Sequence, residues 1–360
     1  MVFHINSIKR DNPYFIFTIT KKNAYYFADN SEKVKIEEKD SFLKKIINAI
    51  RRPINSEHFY IKSYKEDLLD NYNDFIFNAE KLKDITKGRI NIYKTGSIKN
   101  TALDLFSSLT QHIEDAETIC DNESKFILGC YRGGLLFAES YEGEAYKGDV
   151  CSMYPSFMKS RNAIPIKKGI FKHITKEETN KWIGKDDKQY FHFGIYRAEV
   201  MRNNSSSERL FHFNENNYYT HTELKLAVYL GFNFELIEDG EANFLFYPKD
   251  STISLYSVFN TYIDILFEVK KNSPDVTYTK KILNILWGAL SEYKISNTYN
   301  LNQEEIILEA GESILNIKKY GEDNYKIECK QVGNMFVSGF ARISPFITAL
   351  GRSQIANLAS

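Results

Sequence analysis

The chain has 360 residues, of which 43% are hydrophobic and 14% aromatic, with few Gly and Pro, so it is a folded chain with room for two or three domains and not a fibrous or disordered one. Its 47 basic and 47 acidic residues cancel to a formal net charge of zero, so any affinity for nucleic acid has to come from local clusters of Lys and Arg. There is no apolar run long enough to span a membrane, no basic-then-apolar start of a secretory signal, and no C-x-x-C pair among Cys120, Cys130, Cys151 and Cys329, which together point to an intracellular, reducing location without a zinc module or disulfide framework.

Up to about Asn55, strand-like runs such as Tyr14-Phe15-Ile16-Phe17-Thr18-Ile19 precede an amphipathic run from Phe42 to Ile50, which predicts strands followed by a helix. A helical pattern returns over residues 64–77. The stretch 101–113 predicts an amphipathic helix, with Leu103, Phe106, Leu109 and Ile113 on its inner face. From Phe126 to Phe137 an apolar stretch is interrupted by Tyr131-Arg132-Gly133-Gly134, and a second strand-like run leads to Asp149. The paired glycines suit a hairpin turn, and equally a place where a phosphate backbone approaches the chain with Arg132 neutralising it.

Between Ser156 and Thr175 the chain carries Lys159, Arg161, Lys167, Lys168 and Lys172 and no acidic residue, the pattern of a solvated surface or of a DNA-backbone contact. Residues 177–258 show no chemistry of their own. Within them Thr222 to Leu230 reads as a capped helix ended by Gly231, followed by strands over 233–246. Two helices are predicted over 255–271 and 279–294, joined by Asn272-Ser273-Pro274-Asp275. A strand-rich segment and a last helix from near Pro345 complete an α+β order without internal repeats.

Two constellations carry chemistry. Asp149 closes a strand-like run, and Ser152, Tyr154 and Pro155 turn the chain beside it, so a carboxylate and hydroxyls lie close together. A hard cation such as Mg²⁺ prefers such oxygens and keeps substrate phosphates as further ligands, although an Asp at this position also suits a simple turn cap. On the second helix, Lys280, Asn284 and Trp287 fall at i, i+4 and i+7, placing a cation, an amide and an aromatic ring on one face, while Ile282, Ile285 and Leu286 turn to a core. That face suits a triphosphate and a base, but any amphipathic helix has the same period.

The string Asp149-Val150-Cys151-Ser152-Met153-Tyr154-Pro155-Ser156 resembles the D-x-x-S-L-Y-P-S motif of family B DNA polymerases, with Met153 for Leu. By that resemblance Asp149 and the Val150 carbonyl bind the catalytic metals, two Mg²⁺ ions in the complete site. Ser152, Met153 and Tyr154 receive the triphosphate, and Tyr154 excludes a ribose 2′-hydroxyl. Lys280 to Gly288 is similar to the fingers motif K-x-x-x-N-S-x-Y-G, which implies Lys280 on the phosphates and Asn284 and Gly288 at the nascent base pair. Ile285 and Trp287 depart from it, and Trp287 keeps a stacking surface without the phenolic hydroxyl. Tyr262-Ile263-Asp264 followed by Lys270 resembles the first fingers helix, which makes Lys270 a further phosphate ligand. Tyr131, Arg132, Gly133 and Gly134 match the template-contacting Y-x-G-G segment, and residues 345–352 resemble the helix before the last palm motif.

The long interval between Asp149 and Lys280 is similar to the protein-primed branch of viruses, plasmids and organelles. The fold implied is a right-hand palm and fingers with an N-terminal remnant of a 3′-5′ exonuclease-like domain. Its parts are the remnant over 1–115, the start of the palm over 116–176, a terminal-protein-contacting insertion over 177–258, fingers over 259–294, and a second insertion with return to the palm over 295–360. The function implied is DNA-directed DNA polymerisation, with DNA template and primer, deoxynucleoside triphosphates and a terminal protein as partners, no membrane, and a mitochondrial, viral or plasmid-associated setting. No T-D motif follows Arg352 before Ser360, so the expectation is a chain unable to polymerise alone, and a noncatalytic DNA- or terminal-protein-binding remnant is the alternative. No convincing D-x-E motif precedes Tyr131, and Asp67 lacks the usual tyrosine spacing, so proofreading is not expected.

Overall fold

The computed structural model describes residues 2–4, 14–19, 24–27, 33–36, 68–95, 97–113, 115–146, 148–183, 190–294, 298–302, 312–319, 324–331 and 335–360. The run 42–50 and Asp67 lie outside these. In chain order the strands β1 to β4 are Val2–His4, Tyr14–Ile19, Ala24–Phe27 and Lys33–Ile36, and the helices α1 to α4 are Leu68–Ile85, Ile98–Leu109, Asp121–Cys130 and Met153–Met158. Strands β5 (Ala163–Pro165), β6 (Ile170–Lys172), β7 (Gly194–Val200) and β8 (Tyr218–Thr220) lead to helix α5 (His221–Tyr229), then come β9 (Phe234–Leu236), β10 (Phe244–Phe246) and β11 (Thr252–Ser254). Helices α6 (Leu255–Asn272) and α7 (Tyr278–Leu290), strands β12 (Thr298–Asn302), β13 (Glu312–Lys319) and β14 (Asn324–Gln331), and helix α8 (Ile343–Ala359) complete the chain. These elements form two compact units, residues 1–112 with 261–286, and residues 113–260 with 287–360.

In the first unit β1 to β4 pair antiparallel in chain order, as the β-branched and aromatic run at 14–19 predicts. Helix α2 is capped at its start by Ser97, whose hydroxyl accepts from the Asn100 amide. Its inner face is Thr101, Ala102, Leu105 and Phe106, not the expected Leu103 and Leu109, which are half-buried. Small residues let the helix approach its neighbours closely, and a count of large apolar side chains misses them. Asn78 of α1 joins the α7 start, its side-chain oxygen accepting from the Tyr278 amide at 2.9 Å. Along α7, Ile282, Leu283 and Leu286 are buried, and the Tyr262 hydroxyl of α6 donates to the Ile282 carbonyl at 2.8 Å.

At the heart of the second unit is a five-stranded antiparallel sheet in the order β6-β10-β7-β8, with β9 also pairing β7. Its core is aromatic: Tyr196 stacks on Phe244 at 4.1 Å, and Phe211 lies on Tyr219 at 5.8 Å. Gly194 starts β7 because a Cβ there would stand 2.1 Å from the Leu245 carbonyl oxygen. Helix α5 starts one residue earlier than the sequence suggests. Thr220 and Glu223 form a capping box, and Gly231 ends the element at φ 83°. Helix α8 is buried along most of its length and carries Pro345 in its first turn, where no amide bond is lost. Arg342 just before it is fully buried, its guanidinium forked onto both Glu123 oxygens at 2.7 Å, while the Tyr247 hydroxyl donates to the same carboxylate at 2.8 Å. No helix among the described residues is long and apolar enough to cross a membrane.

Candidate functional site

Three segments far apart in sequence meet in the second unit. After α3 the described residues between Tyr131 and Val150 carry no regular secondary structure, where the sequence predicts a strand-like run. Neither Gly133 nor Gly134 adopts a positive φ, so the pair does not make a hairpin turn. Both are exposed, with open space around the position of a Cβ. Asp149 and Val150 are exposed on the approach to a turn at Cys151-Ser152. Ser152 is left-handed at φ 52° and ψ 42°, a sparsely populated region for a residue with a side chain, and its carbonyl accepts from the Ser156 amide at 2.9 Å and hydroxyl at 3.0 Å. The strained residue therefore starts α4 and turns Met153 and Tyr154 inward.

Tyr154 meets Trp287 at 5.3 Å between ring centroids, and Tyr131 meets the same indole edge-on at 6.5 Å. Burial raises the Tyr131 pKa, and the neighbouring Tyr154 hydroxyl adds to the rise. Tyr293 is raised likewise by burial and then by Tyr131. Gly351 of α8 makes room for this cluster, since a Cβ there would lie 3.2 Å from the Tyr154 ring and 3.4 Å from the Met153 methyl. Trp287 is held from behind: its carbonyl accepts from the Ser291 hydroxyl at 2.8 Å, and Ser344 of α8 is hydrogen-bonded to Ser291.

Arg132 has a partner inside the protein. Its guanidinium is ion-paired to Glu223 of α5 and donates to the His212 carbonyl, with 11% of the side chain exposed. The outer surface at this point is therefore made by the Gly133-Gly134 backbone more than by the Arg132 charge. Sequence reading passed over Glu223 and left Arg352 and Gly351 without roles. The only local signal for Glu223 is the Thr-x-x-Glu spacing of its capping box.

Lys280 and Asn284 lie exposed on α7, and Lys270 is half-buried on α6, all within the first unit. Gly288 is exposed in the second unit with open space about it. Of the basic stretch, Arg161 and Lys168 are exposed, while Lys172 sits 4.6 Å over the Trp182 ring. An open cleft of about 760 Å³ in the first unit, bordered by Lys87, Arg89, Lys94, Asp104 and Glu268, contains none of the candidate metal-, nucleotide- or template-binding residues. Asp149 offers one carboxylate for a hard cation, but no group of three or more His, Cys, Asp or Glu able to hold a metal gathers among the described residues. Those residues alone do not complete a cation site.

A family model described as DNA polymerase type B, organellar and viral, matches residues 3–331. Among solved structures the chain is similar to one titled Phi29 DNA polymerase complexed with single-stranded DNA, at 16% identity and a TM-score of 0.51, over 98% of this chain and 64% of that one. At that identity the likeness is one of fold. The chain thus spans less than two thirds of the length of that protein. No curated protein sequence matches it.

Proposed function

The chain belongs to the organellar and viral type B DNA polymerases, and from that premise we propose that it binds a primed DNA template and a deoxynucleoside triphosphate and extends a DNA or protein primer. The observation that carries this reading is the meeting of Tyr131, Tyr154 and Trp287, one from each of three separate motifs, in a single aromatic cluster. Aromatic faces stack on bases and sugars irrespective of sequence, as template-directed chemistry requires.

In this reading Tyr154 lies against the sugar and Trp287 against the nascent base pair. Gly133 and Gly134 leave their backbone open to the template, with Tyr131 beside them. Ser152 and Met153 form the floor under the triphosphate, and Lys280, Lys270 and Asn284 hold its phosphates and base. The primer hydroxyl attacks the α-phosphate and pyrophosphate leaves, a reaction served by positioning and charge neutralisation. Asp149 and the Val150 carbonyl would lend oxygen ligands to Mg²⁺, which supplies charge neutralisation when bound. Residues 1–115 act as an exonuclease-like remnant without proofreading, 116–176 as the start of the palm, 177–258 as the contact for a terminal protein, 259–294 as fingers, and 295–360 as a second insertion with return to the palm. Single-stranded DNA is bound by the protein of like fold, which supports a template strand as partner here.

Nucleotide incorporation by the full chain on a primed template, with Mg²⁺ or Mn²⁺, tests the proposal. Extension that Asp149→Ala abolishes would establish catalysis by this chain and overturn the expectation that it cannot polymerise alone. Tight binding of primed DNA with no incorporation would transfer the protein to the noncatalytic remnant class, and absence of both would overturn the reading.

A further inference from the structure

We propose that Glu223 is a positioning residue for the Tyr131–Gly134 segment, acting through Arg352, and thereby sets the affinity for the template strand. The inference rests on the template-binding reading above and deepens it.

A capping-box glutamate needs only one oxygen for the N-cap amide. Here both oxygens are used in the protein interior. One accepts from the Thr220 amide at 2.9 Å and hydroxyl at 3.0 Å, with the buried Cys130 thiol at 3.6 Å. The other accepts from Arg352 at 2.7 Å and from Arg132. Arg352 completes the link, because its second amino group donates to the Arg132 carbonyl at 2.9 Å and the Gly133 carbonyl at 2.7 Å. One carboxylate therefore binds the start of α5, helix α8 and the segment after α3 into a single arrangement. Burial opposes ionisation of Glu223, but Arg352 and Arg132 outweigh it and keep the carboxyl below the usual carboxylate range.

Two guanidiniums face one carboxylate, so a net positive charge lies behind Gly133 and Gly134, whose outer sides are open. Phosphates of a strand laid along that backbone would meet amide donors backed by this charge. The segment has no helix or strand ladder to hold it in place, and the two bonds from Arg352 to its carbonyls supply that restraint.

Replacing Glu223 by Gln separates positioning from plain electrostatics, because the two predict opposite signs. Gln removes a negative charge, so if only the field mattered, template DNA would bind more tightly. If Glu223 positions the segment, the two guanidiniums repel, the Arg352 fork is lost, and affinity falls by about tenfold, the scale of one charged hydrogen bond. The measurement is fluorescence anisotropy of a labelled primed template with the full chain across a salt series, below the melting temperature of each variant. Arg352→Lys keeps the charge but has no second nitrogen with which to bridge Glu223 and the two carbonyls at once, and serves equally should Glu223→Gln fail to fold. Its expected effect is a similar loss with an unchanged salt slope, and the double variant should lose no more than the worse single one. Unchanged or tighter binding by Glu223→Gln or Arg352→Lys, with wild type binding normally, overturns the positioning role. Failure of the wild type to bind any primed template sinks the template-binding reading instead.

Discussion

Residues 194–246 and residues 131–154 share one compact unit but are built in opposite ways. The first is a ladder of paired strands filled with stacked rings, where Tyr196, Tyr219 and Phe244 are almost wholly buried. The second is largely irregular and carries Leu136, Phe137, Tyr141 and Tyr146 on its surface, Leu136 at 93% exposure. Of the two constellations readable in the sequence, the one at Asp149 falls in the second region, while the side chains hydrogen-bonded to that region's start come from the first and from α8. Residues 194–246 held no recognisable chemistry in the sequence, yet they contribute Glu223. A recognition motif can thus be spelled out locally and depend for its geometry on a scaffold whose sequence says nothing of that task.

The comparison makes sharp demands on variants. The largest effect should come from the supports. Arg342→Met strands a buried Glu123 carboxylate with only Tyr247 beside it and is expected to cost about 3–5 kcal/mol, measured by urea denaturation. A loss under 1 kcal/mol would show that this arrangement is not a support.

Next in size is acid sensitivity in the same scaffold. Burial against Phe193 and Phe346 pushes the His221 pKa down to about 4. The unfolded chain therefore takes up this proton first, and stability that is complete above pH 6.5 drains away as pH falls to about 4, by about 3 kcal/mol in all. Replacing His221 with Leu should flatten that part of the stability-pH curve. If the curve is unchanged, the imidazole is not held neutral by burial.

Smaller effects, of the other sign or near zero, should come from the motif segment. Ser152→Gly relieves the left-handed conformation and should raise stability by about 0.5–1 kcal/mol, seen as a higher urea midpoint. A lower midpoint would mean that Ser152 contributes contacts worth more than its backbone strain. Asp149→Asn should shift stability by no more than about 0.5 kcal/mol, since the residue is exposed, while removing any incorporation that the chain supports. A stability loss comparable to that of Arg342→Met would erase the distinction between scaffold and motif.

Local physics made some features legible in advance. The turn after Asp149 is visible in its Ser-x-Tyr-Pro string, the α7 core face in the spacing of Ile282 and Leu286, and the end of α5 in Gly231. Each depends on residues within one or two helical turns, and such periodicity survives in a linear string. Other features escaped. The inward face of α2 is shifted toward Thr101 and Ala102, which large apolar spacing does not mark, although Phe106 lies on it, and a glycine pair such as 133–134 is not told from a hairpin without backbone angles.

The sequence by itself determined the family-like motifs, their order and the identity of the aromatic rings. Tertiary structure alone decided which of those rings touch, that Gly351 leaves the space beside Tyr154, and that Arg132 turns inward to Glu223. The reason is physical. Glu223 reaches partners 91 and 129 residues away, and a buried charge chooses its partners by distance and desolvation, neither of which leaves a period or spacing in the chain.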